Sequence, residues 1–293
     1  MIDYKILDAW EARYIKNLPD KELLAWSDAE AVKRYPDWRW VYDKYELHKY
    51  LEMVPTWDLW NNYPVRYPKF VKPRFNVNGL GFGSGLIDSE FDVFDKGLCG
   101  SHIAQCILTG EHISSDVVFD GDELIDYYSF VCHYDRYGSL ILFESTEKKP
   151  PKKLLEKMSK IGRGRRVMNV ETIGNKPLEI HLRPSIQFYD ISGGLLKNLP
   201  SFIKGDSWNK VHRGRTYSRV FRRREDARAA RPRSQPKIPK GVRSVQYCWE
   251  KQQKLSKHGQ DGKSFRYMVI NGSNLRAIED YARKLKPLIK FYS

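Results

Sequence analysis

Val167-Met-Asn-Val-Glu-Thr-Ile-Gly-Asn-Lys-Pro-Leu-Glu-Ile-His-Leu-Arg183 reads as two strands joined by a turn at Gly174, Asn175 and Lys176. Glycine and asparagine tolerate the positive φ of a tight hairpin turn. A three-residue loop places Glu171 opposite Glu179. Residues two apart on a strand share a face, so Asn169, Glu171, Glu179 and His181 form one polar patch with Arg183 just beyond. Facing carboxylates repel unless something positive lies between them. Oxygen ligands of this kind suit a hard cation such as Mg²⁺, which usually also touches phosphates. An exposed hairpin with ordinary surface charge is the other reading of the segment.

The chain has 293 residues, enough for one large domain or two modest ones. A hydrophobic content of 41% with 13% aromatic residues excludes a disordered chain. No apolar run approaches the ~20 residues of a membrane-spanning helix, and Met1-Ile-Asp-Tyr-Lys5 lacks the apolar core of a leader. Cys99, Cys106, Cys132 and Cys248 form no CxxC pair and no zinc spacing. They read as reduced, small hydrophobes, and the expectation is a cytoplasmic protein without a membrane partner. The net charge of +15 favours anionic partners without choosing among them.

Residues 1–41 read as a helical, aromatic-rich region with an acidic stretch at Ser27-Asp-Ala-Glu30. A helix follows from Tyr42 to Glu52, ended by Val54-Pro-Thr56. Strands are expected at Tyr67–Pro73, Ile103–Leu108, Ile113–Asp120, Leu124–Cys132 and Ser139–Phe143, and a helix at Lys152–Lys160. Between Arg213 and Arg243 the chain is arginine-dense and proline-spaced, which predicts an exposed basic excursion. The tail returns to globular character: a strand at Ser264–Ile270, a helix cap at Ser273 or Asn274, and an amphipathic helix Leu275–Leu285.

The loop Gly79-Leu-Gly-Phe-Gly-Ser-Gly85 follows a strand ending in Lys72-Pro-Arg74. Without Cβ atoms, its backbone N–H groups can approach an anion. It matches neither GxxxxGK[ST] nor GxGxxG, and a flexible connector is the alternative. A lysine at the end of the preceding strand suits phosphate. Taken alone, Lys44 reads as a surface lysine and Glu111 as a turn carboxylate. His102, His112 and His133 read as structural or surface groups. No arrangement suggests covalent catalysis.

In order and spacing, these pieces resemble the ATP-grasp superfamily over residues 42 to 195. Tyr42-Asp-Lys-Tyr-Glu-Leu-His-Lys-Tyr-Leu-Glu-Met-Val-Pro-Thr56 is similar to the family's "DK…L…(I/V)PT" helix and exit. Tyr67-Pro-Lys-Phe-Val-Lys-Pro-Arg74 is similar to its "yPvivKP" strand. Ala104-Gln-Cys-Ile-Leu-Thr-Gly-Glu111 and Ser115-Asp-Val-Val118 resemble the hinge strand and "GxE…D" continuation. Asn169-Val-Glu171 and Leu178-Glu-Ile-His-Leu-Arg183 resemble the closing "NvE/Q" and "EiNpR" strands.

The resemblance implies an α+β chain in which two α+β subdomains clasp a nucleotide. A short helical N-terminal region (1–41) stands in place of a full preceding α/β domain. The small subdomain would span 42–110 and the metal and phosphate subdomain 111–205. A basic insertion (206–243) and a C-terminal α/β segment (244–293) would follow. The implied ligands are ATP and Mg²⁺, or Mn²⁺. Lys44 and Lys72 would contact the phosphates, with Gly79, Gly81, Gly83, Ser84 and Gly85 closing over them. Gln105, Cys106 and Leu108 would flank adenine, and Glu111 would hold the ribose. Arg136 would be a further phosphate contact. Glu171, Glu179 and His181 would hold the metal, and Arg183 would stabilise the transferring phosphoryl group.

Two positions depart from the motif: His181 replaces its asparagine and Leu182 its proline. Imidazole suits Mn²⁺ or Zn²⁺ better than Mg²⁺. The implied activity is ATP-dependent ligation of a carboxylate to an amine or similar nucleophile. Two other readings stand beside it. One is nucleic-acid binding, or capture of another anionic partner, through Arg213–Arg243 with Trp208, Tyr217 and Phe221. The other is an ATP-grasp scaffold that binds nucleotide without turnover.

Overall fold

The structure, a computed structural model, describes residues 15–16, 18, 20–59, 66–75, 84–135, 140–185, 195–209, 214–223, 228–230, 232, 234–247 and 265–292. In chain order its main elements begin with α1 (Asp28–Arg34), α2 (Lys44–Leu51), β1 (Thr56–Asp58), β2 (Lys69–Pro73), β3 (Gly85–Ile87), α3 (Glu90–Asp95) and β4 (His102–Gln105). Next come β5 (His112–Asp120), β6 (Glu123–Tyr134), β7 (Leu140–Thr146), α4 (Lys152–Ser159), β8 (Arg166–Ile173), β9 (Lys176–His181) and α5 (Leu195–Lys204). The last are β10 (Tyr217–Arg223), β11 (Arg228–Ala230), β12 (Val242–Tyr247), β13 (Phe265–Gly272), α6 (Leu275–Leu285) and β14 (Lys290–Tyr292).

The small sheet has the order β1-β4-β2-β3 and the large one β12-β13-β10-β7-β6-β5-β8-β9, with β11 and β14 paired separately. The large sheet is buried on both faces. Adjacent residues of one strand therefore enter different cores, as strand alternation demands. Val118 and Val167 pack with Trp26, Phe130, Leu199 and Phe202, beneath the N-terminal region and α5. Val117, Phe119, Met168 and Val170 pack with Leu47, Leu51, Leu154 and Met158, beneath α2 and α4. Helix α6 covers the far end of the sheet through Ile278, Tyr281 and Leu285 against Tyr217, Met268 and Ile270. The small sheet has its own core, in which Val71, Ile87 and Ala104 meet Val93 of α3.

Local chemistry sets the helix starts. Ser27 caps α1 by accepting from the Glu30 N–H, while the Glu30 carboxylate accepts from the Trp26 N–H. Asp43 caps α2, so that helix begins at Lys44 and the preceding Pro36–Tyr42 is a 3₁₀ segment. Asn274, not Ser273, caps α6.

The hairpin differs from its expected form in one detail. Ile173 pairs with Lys176, so the turn has two residues, Gly174 at φ +54 and Asn175 at φ +67. A register shift between Glu171 and Thr172 then restores the pairing of Glu171 with Glu179 and of Asn169 with His181. Pro177 next to this bulge has no N–H for the ladder, which is tolerable because β9 is the edge strand.

Two further expectations change. The strand after Ile103 ends at Gln105, leaving Cys106 and Leu108 in an extended connection. The arginine-dense stretch is not all an exposed excursion: Tyr217–Arg223 is an interior strand between β13 and β7, with Tyr217, Val220 and Phe221 buried. Its arginines misled because they alternate with core side chains. Arg219 donates to Glu279 and to the Ile141 carbonyl, and Arg215 to Glu144. Among the described residues no helix is long and apolar enough to cross a membrane.

Candidate active site

The hairpin β8–β9 meets the small sheet and the start of α2. Lys44, buried at the first turn of α2, places its Nζ 2.8 Å from Oε1 of Glu179. Arg74, directly after β2, fixes this approach. Its guanidinium grips the Asp43 cap (Nε–Oδ1 2.9 Å, Nη2–Oδ2 2.7 Å) and reaches Asp58 at 3.0 Å. The Arg74 carbonyl accepts from the Lys44 N–H. Helix start and strand end are thereby locked together, which sets Lys44 beside Lys72.

Lys72 is wholly buried and donates to the Leu178 carbonyl at 2.8 Å. That carbonyl lies within the register slip of β9, where the ladder leaves it an additional acceptor role. Burial pushes the Lys72 ammonium down to about 7, Glu179 and Glu171 pulling it up and Lys44 pressing it down. His48, 3.5 Å from Lys72, is held well below its ordinary value by burial and by that lysine, and so is neutral.

The second carboxylate has a different partner. Glu171 accepts from His112 Nε2 at 3.1 Å, and His112 Nδ1 lies 2.6 Å from the Tyr134 hydroxyl. Burial would raise the Glu171 carboxyl, but the His112 hydrogen bond and the charges of His112, His181 and Arg183 outweigh it and keep it ionised. Glu179 is thus faced by the Lys44 ammonium, and Glu171 by a hydrogen bond from His112. Among the described residues, no three His, Cys, Asp or Glu side chains are gathered into a ready metal cage.

His181 and Arg183 are both tied to the N-terminal region. Asp28, at the start of α1, is 4% exposed. It accepts a bidentate pair from one edge of the Arg183 guanidinium (Nε–Oδ1 2.9 Å, Nη2–Oδ2 2.8 Å) and lies 3.0 Å from His181 Nδ1. The other ring nitrogen of His181 is 3.6 Å from Glu179 Oε2.

Asp116 lies deeper in the large sheet. Its Oδ1 accepts from Asn169 Nδ2 and the Ser185 N–H, both at 2.9 Å, while Oδ2 has no partner. Burial lifts its carboxyl to about 7. Between the ordinary carboxylate value and about 7, the folded chain keeps a proton that the unfolded chain has released. Folding therefore loses stability as pH rises through that window. Replacing Asp116 with Asn removes this loss. The variant should gain on the parent by on the order of 2–4 kcal/mol between pH 4 and 8. Denaturation curves at the two pH values check this; an equal difference at both would contradict it.

The remaining expected site residues fall as follows. Gln105 is buried and donates to Thr56 Oγ1 at 2.9 Å. Cys106 and Leu108 are half-buried, and Glu111 is exposed and ion-paired with Lys148. The connection through Gly110 touches the hairpin turn: the Gly174 N–H donates to the Glu111 carbonyl at 3.1 Å. Ser84 and Gly85 lead into β3, where Gly85 pairs with Val71. Gly79, Gly81, Gly83 and Arg136 lie outside the described residues. The structure thus gathers Lys44, Lys72, Glu171, Glu179, His181 and Arg183. Asp28, Arg74 and His112 are the members that sequence reasoning missed. His112 shares a strand face with Ser114, and only the pairing of Ser114 with Glu171 brings it to the site.

No protein-family model matches the chain, and no curated protein matches it in sequence. Solved structures do. The biotin carboxylase domain of 2-oxoglutarate carboxylase from Hydrogenobacter thermophilus, solved with MgADP and bicarbonate, superposes with a TM-score of 0.61 at 12% identity, over 86% of this chain and 68% of that one. L-amino acid ligase from Bacillus licheniformis gives 0.59 at 10% identity, over 87% and 73%. N5-carboxyaminoimidazole ribonucleotide synthetase from Thermus thermophilus gives 0.57 at 15% identity, over 98% and 80%. All three are ATP-grasp proteins, and the chain has the ATP-grasp fold.

Proposed function

We propose that this chain is an ATP-dependent ligase of the ATP-grasp type, with ATP held between the small sheet and the β8–β9 hairpin. The observation that carries the reading is the Lys44–Glu179 contact with buried Lys72 beside it. Two lysines and two opposed carboxylates, from segments more than 90 residues apart in sequence, converge in one place. A lysine kept near neutrality by burial regains its full charge when an anion arrives, which suits Lys72 to a phosphate. Lys44 would exchange its carboxylate for phosphate, freeing Glu179. Glu171, Glu179 and His181 would then have to be drawn together to hold Mg²⁺ or Mn²⁺, carboxylate oxygens and an imidazole nitrogen being donors that such ions take. A bound divalent cation supplies charge neutralisation on the phosphates. Gly79–Gly85 would cover the phosphates and Arg136 would add a contact. Gln105, Cys106 and Leu108 would flank adenine, and Glu111 would take the ribose hydroxyls.

In this reading the γ-phosphoryl group passes to a carboxylate oxygen, giving an acyl phosphate and ADP. An amine or similar nucleophile then attacks the acyl carbon and phosphate leaves. Arg183 would face the charge that develops on the transferring group. No protein nucleophile is needed. ADP with Mg²⁺ or Mn²⁺, at about 100 times its dissociation constant, is expected to stabilise the chain by about 2.7 kcal/mol, seen as a raised Tm. An unchanged Tm at millimolar nucleotide, with or without metal, would overturn the reading.

A further inference from the structure

Helix α2 meets strand β9 through side chains on consecutive turns. Lys44 and His48, four residues apart on one helix face, reach adjacent residues of the strand: Lys44 the Glu179 carboxylate, His48 the Leu178 carbonyl. His48 is 1% exposed. Its Nε2 lies 3.3 Å from the Leu178 carbonyl oxygen and 3.5 Å from Lys72 Nζ, and its buried Nδ1 has no partner. Lys72 Nζ donates to the same carbonyl at 2.8 Å. Leu178 is the residue that the bulge leaves without a partner on β8, so two buried side chains converge on one backbone oxygen. A neutral imidazole has one nitrogen that donates and one that accepts, and burial and Lys72 keep His48 neutral. With its proton on Nδ1, the ring can accept from the Lys72 ammonium through Nε2. With its proton on Nε2, it donates to the Leu178 carbonyl. When Lys72 turns to a phosphate, the carbonyl loses its donor and the ring loses its lysine together. A carbonyl left without a donor between buried side chains weakens binding. Only the ring with its proton on Nε2 pairs that carbonyl again.

We propose that His48 is a positioning residue for the nucleotide, its Nε2–H taking over the Leu178 carbonyl when Lys72 leaves it for phosphate. This inference rests on the nucleotide reading above. The exchange keeps β9 tied to α2 while the lysine moves, so Glu179 holds its place. It also gives a buried histidine with an unpaired nitrogen a physical use: the ring can change which nitrogen carries the proton without changing its charge.

The test compares two amides at position 48 of the full chain. Glutamine carries its amide nitrogen as many bonds from the backbone as Nε2, and asparagine as many as Nδ1. Only His48→Gln therefore keeps a donor for Leu178. Calorimetric titration with ADP and Mg²⁺ should find His48→Gln within about two-fold of the parent and His48→Asn about ten-fold weaker. Without nucleotide the two variants should melt alike, because Lys72 then supplies the carbonyl in both. Equal affinities in the two variants would overturn the proposal and leave the nucleotide site standing. A gap in Tm already present without nucleotide would also overturn it, marking a purely structural role. If neither variant folds, the ring ¹⁵N shifts of the parent bound to ADP and Mg²⁺ decide: a proton on Nε2 supports the proposal and a proton on Nδ1 overturns it. A parent that binds no ADP removes the functional reading and this proposal together.

Discussion

Replacing Glu179 with Gln is expected to reduce ATP turnover by at least about 10³-fold while the fold persists. Glutamine keeps the shape but removes the charge that offsets Lys44 and that a divalent cation requires. Lys44 would then be a buried ammonium without an anionic partner at 2.8 Å. Because Glu179 is only partly buried, the stability cost should be modest, about 1–2 kcal/mol. Activity and stability should therefore separate clearly. Glu156, exposed on α4 and paired with Lys152, is the control, and Glu156→Gln should leave both unchanged. A Glu179→Gln protein that turns over ATP at the parental rate would remove Glu179 from the site.

The second large effect is on stability. Gly174→Ala is expected to cost about 2–4 kcal/mol, read as a fall in Tm or in the denaturant midpoint. Gly174 has φ +54, where an L side chain is strained. A Cβ there would also meet the Thr109 carbonyl oxygen at 2.1 Å. The oxygen is backbone and the Cβ position is fixed by backbone, so one of the two chains must move. Those chains are the connection after β4 and the turn that sets Glu171 opposite Glu179. The variant should consequently also bind nucleotide more weakly. Asn175→Gly, at the neighbouring φ +67 position, should be tolerated, because glycine is at ease there. A Gly174→Ala protein within about 0.5 kcal/mol of the parent would contradict the close contact.

The parts of this site visible in the sequence are those governed by local rules. Glu171 and Glu179 were placed in register by strand alternation and a Gly-Asn turn. The loop length was one residue too long, and the bulge at Leu178, beside a proline that cannot join the ladder, compensates for it. Lys44 and Lys72 were legible only as members of an ordered set of motifs, since each alone is an ordinary lysine. Asp28 left no local trace, because its contacts with His181 and Arg183 cross about 155 residues and exist only through packing. Arg74 looked like one more basic residue until Asp43 and Asp58 surrounded it. The arginines of β10 concealed a core strand, because composition averages over two faces that the fold keeps apart.

The central claim is that the lysines of the small sheet and α2 and the carboxylates of the β8–β9 hairpin form one nucleotide–metal site. The most direct measurement is a crystal structure with ADP and Mn²⁺, locating the metal by its anomalous scattering. The account predicts Mn²⁺ in contact with Glu179, and the ADP phosphates against Lys44 and Lys72. Nucleotide and metal bound elsewhere on the chain, with the Lys44–Glu179 pair intact, would contradict it.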